Sequence, residues 1–120
     1  MYRVFFYKDK KGESKVKKYI NSLSAKKDKD SRIKLNKIYE YILYLSKTGQ
    51  QAGEPYVKHL GGDIWELRPI RDRVLFSAWD EESYILLHHF KKKTKKTPAR
   101  EIERARRNLA DYRERSKEDE

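Results

Sequence analysis

Apolar positions recur at two spacings along this chain, and the change from one to the other marks out its elements. Tyr2 to Tyr7 is a run of aromatic and β-branched residues that predicts a strand, ended by the charged turn Lys8–Gly12. Val16, Tyr19, Ile20 and Leu23 then follow the spacing of one helical face, with Ser14 placed to cap its start. The polar stretch 28–31 predicts a turn, after which Leu35, Ile38, Tyr41, Ile42 and Leu45 predict a second helix ending before Gly49. Residues 48–53 read as loop. Two amphipathic helices joined by a short polar turn form an αα-hairpin that can cover one face of a sheet.

The second half changes period. Tyr56–Leu60 predicts a short strand, followed by a turn at Gly61, Gly62 and Asp63. Residues 64–68 resume as a strand with Trp65 and Leu67 on one side and Glu66 and Arg68 on the other, and Pro69 ends it. Arg73–Trp79 and Tyr84–Phe90, joined by a tight turn at 80–83, are expected to pair as an antiparallel hairpin. On strict alternation Tyr84, Leu86, His88 and Phe90 share one face, and Ile85, Leu87 and His89 the other. Thr97 is a candidate N-cap with Pro98 at the first helical position, and Ile102, Ala105, Leu109 and Tyr112 give that helix a narrow apolar stripe. The predicted class is α+β in the order β-α-α-β-β-β-β-α: a strand and αα-hairpin packed on a compact, mainly antiparallel sheet, then a C-terminal helix. One domain spans 1–113, and residues 114–120 are expected to form a charged, frayed tail.

Charge narrows the class of partner. Among 120 residues, 30 Lys/Arg against 19 Asp/Glu leave a net +11, which favours nucleic acid, with an anionic membrane surface or an acidic protein as alternatives. The absence of cysteine excludes disulfides and thiolate metal sites and suits a cytoplasmic location. His59, His88 and His89 have no metal-ligand spacing, so neither metal nor cofactor is expected. The N-terminus is too poor in apolar residues for a signal peptide or membrane span.

Candidate chemistry concentrates between His88 and Arg100, where thirteen residues hold six Lys/Arg, two His and one Phe without a carboxylate. Lys91, Lys92, Lys93, Lys95 and Lys96 make an electrostatic bed for RNA, and a partly desolvated lysine among them can serve in proton transfer or at a leaving oxygen. Arg68 and Arg73, on either side of a four-residue connection, are expected to meet at one rim, there to grip a phosphate or simply to pair with Glu66 and Asp72. Phe90 either stacks on a splayed base or closes the core under the last helix. His88 is a candidate proton carrier near neutrality or an edge-of-core histidine. Lys58 stands as a flanking phosphate contact or a solvated edge residue. RNA carries its own nucleophile in the 2′-hydroxyl, so this set needs no metal.

The run GGDIWELRPIRDRVLFSAW, followed by YILLHHFKKKTKKTPAREIERAR, resembles toxins of the RelE superfamily, and more closely the HigB, or phage Gp49-like, branch of type II toxin–antitoxin systems. The likeness extends over nearly the whole chain. It implies a metal-independent endoribonuclease that cuts mRNA in the decoding site of the ribosome, alongside 16S ribosomal RNA. It also implies a cognate helix-turn-helix antitoxin of the HigA type, through which alone DNA would be touched, and no membrane. On the matching positions it assigns Arg68 and Arg73 to phosphate and transition-state stabilisation, and Phe90 to stacking or pocket shape. It assigns His88 with Lys92 or Lys93 to proton transfer, and Lys58 to a secondary RNA contact. A gyrase-poisoning toxin of the same superfamily, or a noncatalytic nucleic-acid or antitoxin-binding domain, are the alternative functions.

Overall fold

The computed structural model describes residues 1–118. Strand β1 (Arg3–Phe6) is followed by helices α1 (Lys15–Ala25) and α2 (Lys29–Thr48), a 3-10 turn at Gly49–Ala52, strands β2 (Val57–Gly61), β3 (Ile64–Leu67), β4 (Asp72–Asp80) and β5 (Ser83–Lys91), and helix α3 (Ala99–Glu118). The five strands form one sheet in the order β1-β5-β4-β3-β2. β2 to β5 run as an antiparallel meander, and β1 joins parallel to β5. The α+β architecture and element order agree with the sequence reading and with a RelE-like fold.

Local chemistry explains the element ends. Ser14 caps α1 by accepting from the Lys17 amide at 3.1 Å. The 28–31 stretch, expected as a turn, is instead the start of α2: Asp28 accepts from the Ser31 amide at 2.9 Å and from its hydroxyl at 2.8 Å. Cap residues and turn residues share one composition, so residue types alone do not separate a helix start from a turn.

Each face of the sheet buries one core. Toward the αα-hairpin, Val16, Ile20, Leu23, Ile38 and Leu45 pack on Val57, Leu67, Val74, Phe76, Tyr84 and Leu86. Toward α3, Ala105 and Leu109 pack on Tyr7, Ile64, Leu75, Ile85 and Leu87, with Ile102 and Tyr112 beside them. The predicted stripe of α3 is therefore the one that docks. Helix α3 continues beyond Tyr112 into the segment expected as a tail. Arg115 bonds Asp111 at 2.9 Å and the carbonyl of Lys8, and lies over the ring of Tyr7, whose hydroxyl donates to the same Asp111 carboxylate at 2.6 Å. Burial, reinforced by Asp111, pushes the Tyr7 hydroxyl up to about 12. This tie holds α3 helical through Glu118, and of the predicted tail only 119–120 lie outside the described residues.

One departure from regular pairing decides the orientation of the functional residues. Phe76 pairs with Leu86, but Leu75 pairs with His88, so Leu87 is an extra residue bulged out of β5. The carbonyl of Leu87 accepts from Asn108 Nδ2 on α3 at 2.8 Å. Beyond the bulge the faces exchange. Tyr84 and Leu86 face the αα-hairpin, whereas His88 and Phe90 share the α3 face with Ile85 and Leu87. His89 is turned to the hairpin side, where it stacks on Tyr19 at 3.7 Å and meets Asp72 Oδ1 at 2.9 Å. The alternation expected from sequence is thus corrected at Leu87.

Gly49 closes α2 at φ 66°, and a Cβ there would come within 2.7 Å of the Tyr84 hydroxyl and 2.9 Å of the Tyr2 ring. Gly49→Ala should destabilise the fold by roughly 2 kcal/mol or more, since left-handed strain adds to the clash. Urea unfolding checks this, and an unchanged midpoint would contradict the packing described.

Candidate nucleic-acid interface

A single buried carboxylate organises the α3 face. Glu66 on β3 is 2 % exposed. Its Oε2 accepts from the Thr97 hydroxyl at 2.6 Å, and its Oε1 lies 3.6 Å from Arg68 Nε and 3.9 Å from Arg73 Nε. The two arginines do converge, as their spacing predicts, but they converge on Glu66. Arg73, expected at an open rim, is 6 % exposed, and its Nη1 donates to the carbonyls of Ile70 and Asp72 at 2.9 and 2.8 Å. Burial lowers its pKa, with the Glu66 charge opposing that shift, and a guanidinium remains charged at neutral pH. Arg68 is less committed. Its side chain keeps 24 % exposure and Nη1 lies 3.5 Å from the exposed Glu54, while its buried Nε has no hydrogen-bond partner. Thr97, predicted to cap α3, gives its hydroxyl to Glu66, and the carbonyl of Pro98 takes the first helical amides.

The connection between the arginines is strained. Ile70 has φ 57°, the one positive value at a non-glycine among the described residues, and a β-branched side chain there costs about 1–3 kcal/mol. Arg73 holds that conformation through the Ile70 carbonyl. The same loop anchors the lysine run, because the Lys92 amide donates to the carbonyl of Arg71 at 2.7 Å.

Two cavities follow from this arrangement. One of about 270 Å³ is lined by Ile70, Arg71, Lys92, Lys93, Thr94 and Lys95. The other, about 550 Å³, has Phe90 in its wall with Lys91, Lys93, Thr94, Pro98, Arg100 and Glu101. Lys93 and Thr94 border both, so the two form one cationic surface beside an aromatic ring. Lys91 also leans over the edge to the hairpin side, with Nζ 5.9 Å from the Tyr19 ring. Lys96 is exposed and lines neither cavity; Lys58 is exposed on β2, opposite Glu66 in the register.

His88 enters the site through Glu101. It is 7 % exposed, and its Nε2 lies 3.0 Å from Glu101 Oε1. Burial lowers its pKa below the ordinary 6.5, against the raising effect of Glu101. At neutral pH the ring is therefore neutral and its Nε2–H donates to the carboxylate. Of the predicted residues, the fold gathers Phe90, Lys91, Lys92, Lys93 and Lys95, places Arg68 and Arg73 on Glu66, and links His88 by one carboxylate. Sequence reasoning offered Glu66 only as a pairing partner for the arginines, the role it has here, counted Arg100 only within the basic run, and did not single out Arg71, Thr97 or Glu101 as members of the site. Glu66 had a signal: it alternates onto the same strand face as Arg68.

Among the described residues no helix is long and apolar enough to cross a membrane. A family model described as phage derived protein Gp49-like (DUF891) matches residues 18–110, from within α1 to within α3, and so takes in every residue of both cavities. No curated protein matches the chain.

Two outcomes test these assignments. Glu66→Leu should cost about 3–5 kcal/mol by leaving two guanidinium groups without their shared counter-charge, whereas Glu66→Gln, which can still accept from Thr97, should cost less; denaturant unfolding measures both. For His88 the folded pKa lies below the unfolded value, so the unfolded state takes up protons first as pH falls. Stability should decline from about pH 6.5 downward until the folded pKa is passed, and His88→Gln should remove that part of the slope between pH 7 and 5. An identical pH profile in the variant would contradict the assignment.

Proposed function

We propose, from the premise that this chain belongs to the phage-derived Gp49-like family and hence to the RelE/toxin-like group, that it is the HigB-type toxin of a type II toxin–antitoxin system, an endoribonuclease that cuts mRNA on the ribosome. The observation that carries this reading is the Phe90 cavity, which an aromatic wall, Lys93, Arg100 and one carboxylate line together, with Lys91 at its edge. Single-stranded RNA is held in this way, by base stacking and by cations along the phosphates. The expected partners are the ribosomal RNA surface that surrounds mRNA and a helix-turn-helix antitoxin of the HigA type.

The reaction follows from the substrate. The 2′-hydroxyl oxygen attacks the adjacent phosphorus, the bond from phosphorus to the 5′ oxygen breaks, and a 2′,3′-cyclic phosphate and a 5′-hydroxyl result. Glu101 takes the proton from the 2′-hydroxyl, held in place by the neutral His88 behind it. Lys93, which borders both cavities, supplies the proton and charge for the departing 5′ oxygen. Arg68 contacts a phosphate oxygen. Arg73 positions Glu66 and Arg68 and touches no substrate. This differs from the expectation that His88 and Arg73 act directly, because both are buried.

Mapping of mRNA 5′ ends on programmed ribosomes tests the proposal. Wild type should leave defined cuts, and Lys93→Ala and Glu101→Gln should each slow cutting by about 10²–10³-fold, in line with loss of one proton-transfer or charge-stabilising group. Thermal stability of Lys93→Ala should be unchanged, since that side chain is exposed. No cleavage by wild type would overturn the activity. Continued translation with accumulating DNA breaks would indicate the gyrase alternative.

A further inference from the structure

A third cavity lies on the other side of the His88–Glu101 pair. It is a cleft of about 350 Å³ between α3, the end of β5 and the turn after β1, lined by Lys15, Arg104, Arg107, His88 and Asn108 together with Tyr7, Leu87, Asp9 and Glu13. Its charges are unevenly satisfied. Asp9 Oδ1 accepts the amides of Lys11 and Glu13 at 2.9 and 3.0 Å, and those bonds hold its carboxyl below the usual carboxylate range. Glu13 pairs with Lys18 at 3.0 Å. Lys15, Arg104 and Arg107 have no salt-bridge partner among the described residues, although Arg106 on the same helix pairs with Glu103. Three cations thus border a concave site whose carboxylates are already engaged. Its floor is fixed, because Asn108 holds the bulged Leu87 that turns His88 to this face.

We infer that this cleft is a second backbone-phosphate subsite for the RNA strand, with Lys15, Arg104 and Arg107 as its ligands. The inference rests on the reading of the Phe90 cavity as an RNA site. His88 lines the cleft, Glu101 lines the Phe90 cavity, and the two are hydrogen-bonded, so a strand with phosphates in both places crosses the pair itself. Along α3, Arg104 and Arg107 stand about 4.5 and 9 Å beyond Glu101 at 1.5 Å rise per residue, a reach of one or two backbone linkages. The cleft would therefore set the direction of the transcript and decide which linkage rests on Glu101.

Binding of a non-cleavable 2′-O-methyl RNA hexamer across a salt series tests this without requiring activity. Arg104→Ala/Arg107→Ala should weaken the hexamer at low salt by about tenfold or more and reduce the slope of log K against log salt by about 0.7 for each phosphate the variant no longer neutralises. A dinucleotide, too short to span both places, should lose much less. Arg106→Ala, equal to either single change in charge and on the same helix, should leave the slope near wild type. If the double variant loses no more than twice the slope change of Arg106→Ala, the subsite is refuted while the Phe90 site stands. If inorganic phosphate binds the cleft but the hexamer slope is unaffected, the cleft takes free anions and not the strand, which also overturns the inference. A wild type that binds no RNA would remove both readings together.

Discussion

A buried carboxylate needs counter-charge, and in this protein that need shapes the whole α3 side of the sheet. Glu66 lies in the middle of β3 with both oxygens out of water. Left alone it would cost several kcal/mol or take up a proton. Two guanidinium groups and one hydroxyl settle it, and each comes from a different part of the chain: Arg68 from the end of β3, Arg73 from the start of β4, and Thr97 from the approach to α3. The lysine run is consequently fastened at both ends, by the Lys92 amide on Arg71 and by Thr97 on Glu66. Five like charges in six residues repel one another and would favour an open, mobile segment. Fastening both ends holds them as an arch, with Lys91, Lys92, Lys93 and Lys95 bordering the two cavities.

The bulge at Leu87 has the complementary effect on β5. Without the extra residue His88 would point into the αα-hairpin core and His89 would face α3. With it, His88 meets Glu101, and His89 joins Tyr19 and Asp72 in a closed hydrogen-bonded cluster on the far side. The two histidines are neighbours in sequence but separate in function. One is tied to a carboxylate at the edge of a cationic cavity. The other braces α1 against β4 and β5, a polar cluster satisfied internally as buried groups require.

Much of the fold was legible because the apolar periods are clean. Both hairpin helices, the meander and the α3 stripe come from spacing alone, and Ser14 and Gly49 mark helix ends by ordinary cap chemistry. The failures share one cause: a local signal was outweighed by a distant partner. Thr97 has the look of a cap, yet its hydroxyl serves Glu66, thirty-one residues away. The bulge leaves no trace in composition at all, since Leu87 is as apolar as its neighbours. At the site, residue types and their general vicinity were readable. Which cations face solvent was not, because that depends on where the carboxylate buried on the α3 face finds its balance.

The two arginines illustrate what that balance does for chemistry. Arg73 donates to two carbonyls and shares Glu66, so its remaining role is to hold the strained Ile70 loop and the carboxylate in place. Arg68 has the opposite character. Its Nε is buried at ion-pair distance from Glu66 but too far to form a hydrogen bond, a deficit of about 1–3 kcal/mol for a buried donor. What the side chain can offer an anion is its partly exposed guanidinium end, not the buried Nε. It is already partly stripped of water, and the geometry that points it is set before the ligand arrives. Arg73 and Glu66 keep that geometry rigid, and only an incompletely satisfied guanidinium beside them has a donor left to offer. The two side chains therefore stand differently: the buried arginine fixes the frame, and the half-buried one is the candidate to meet an anion.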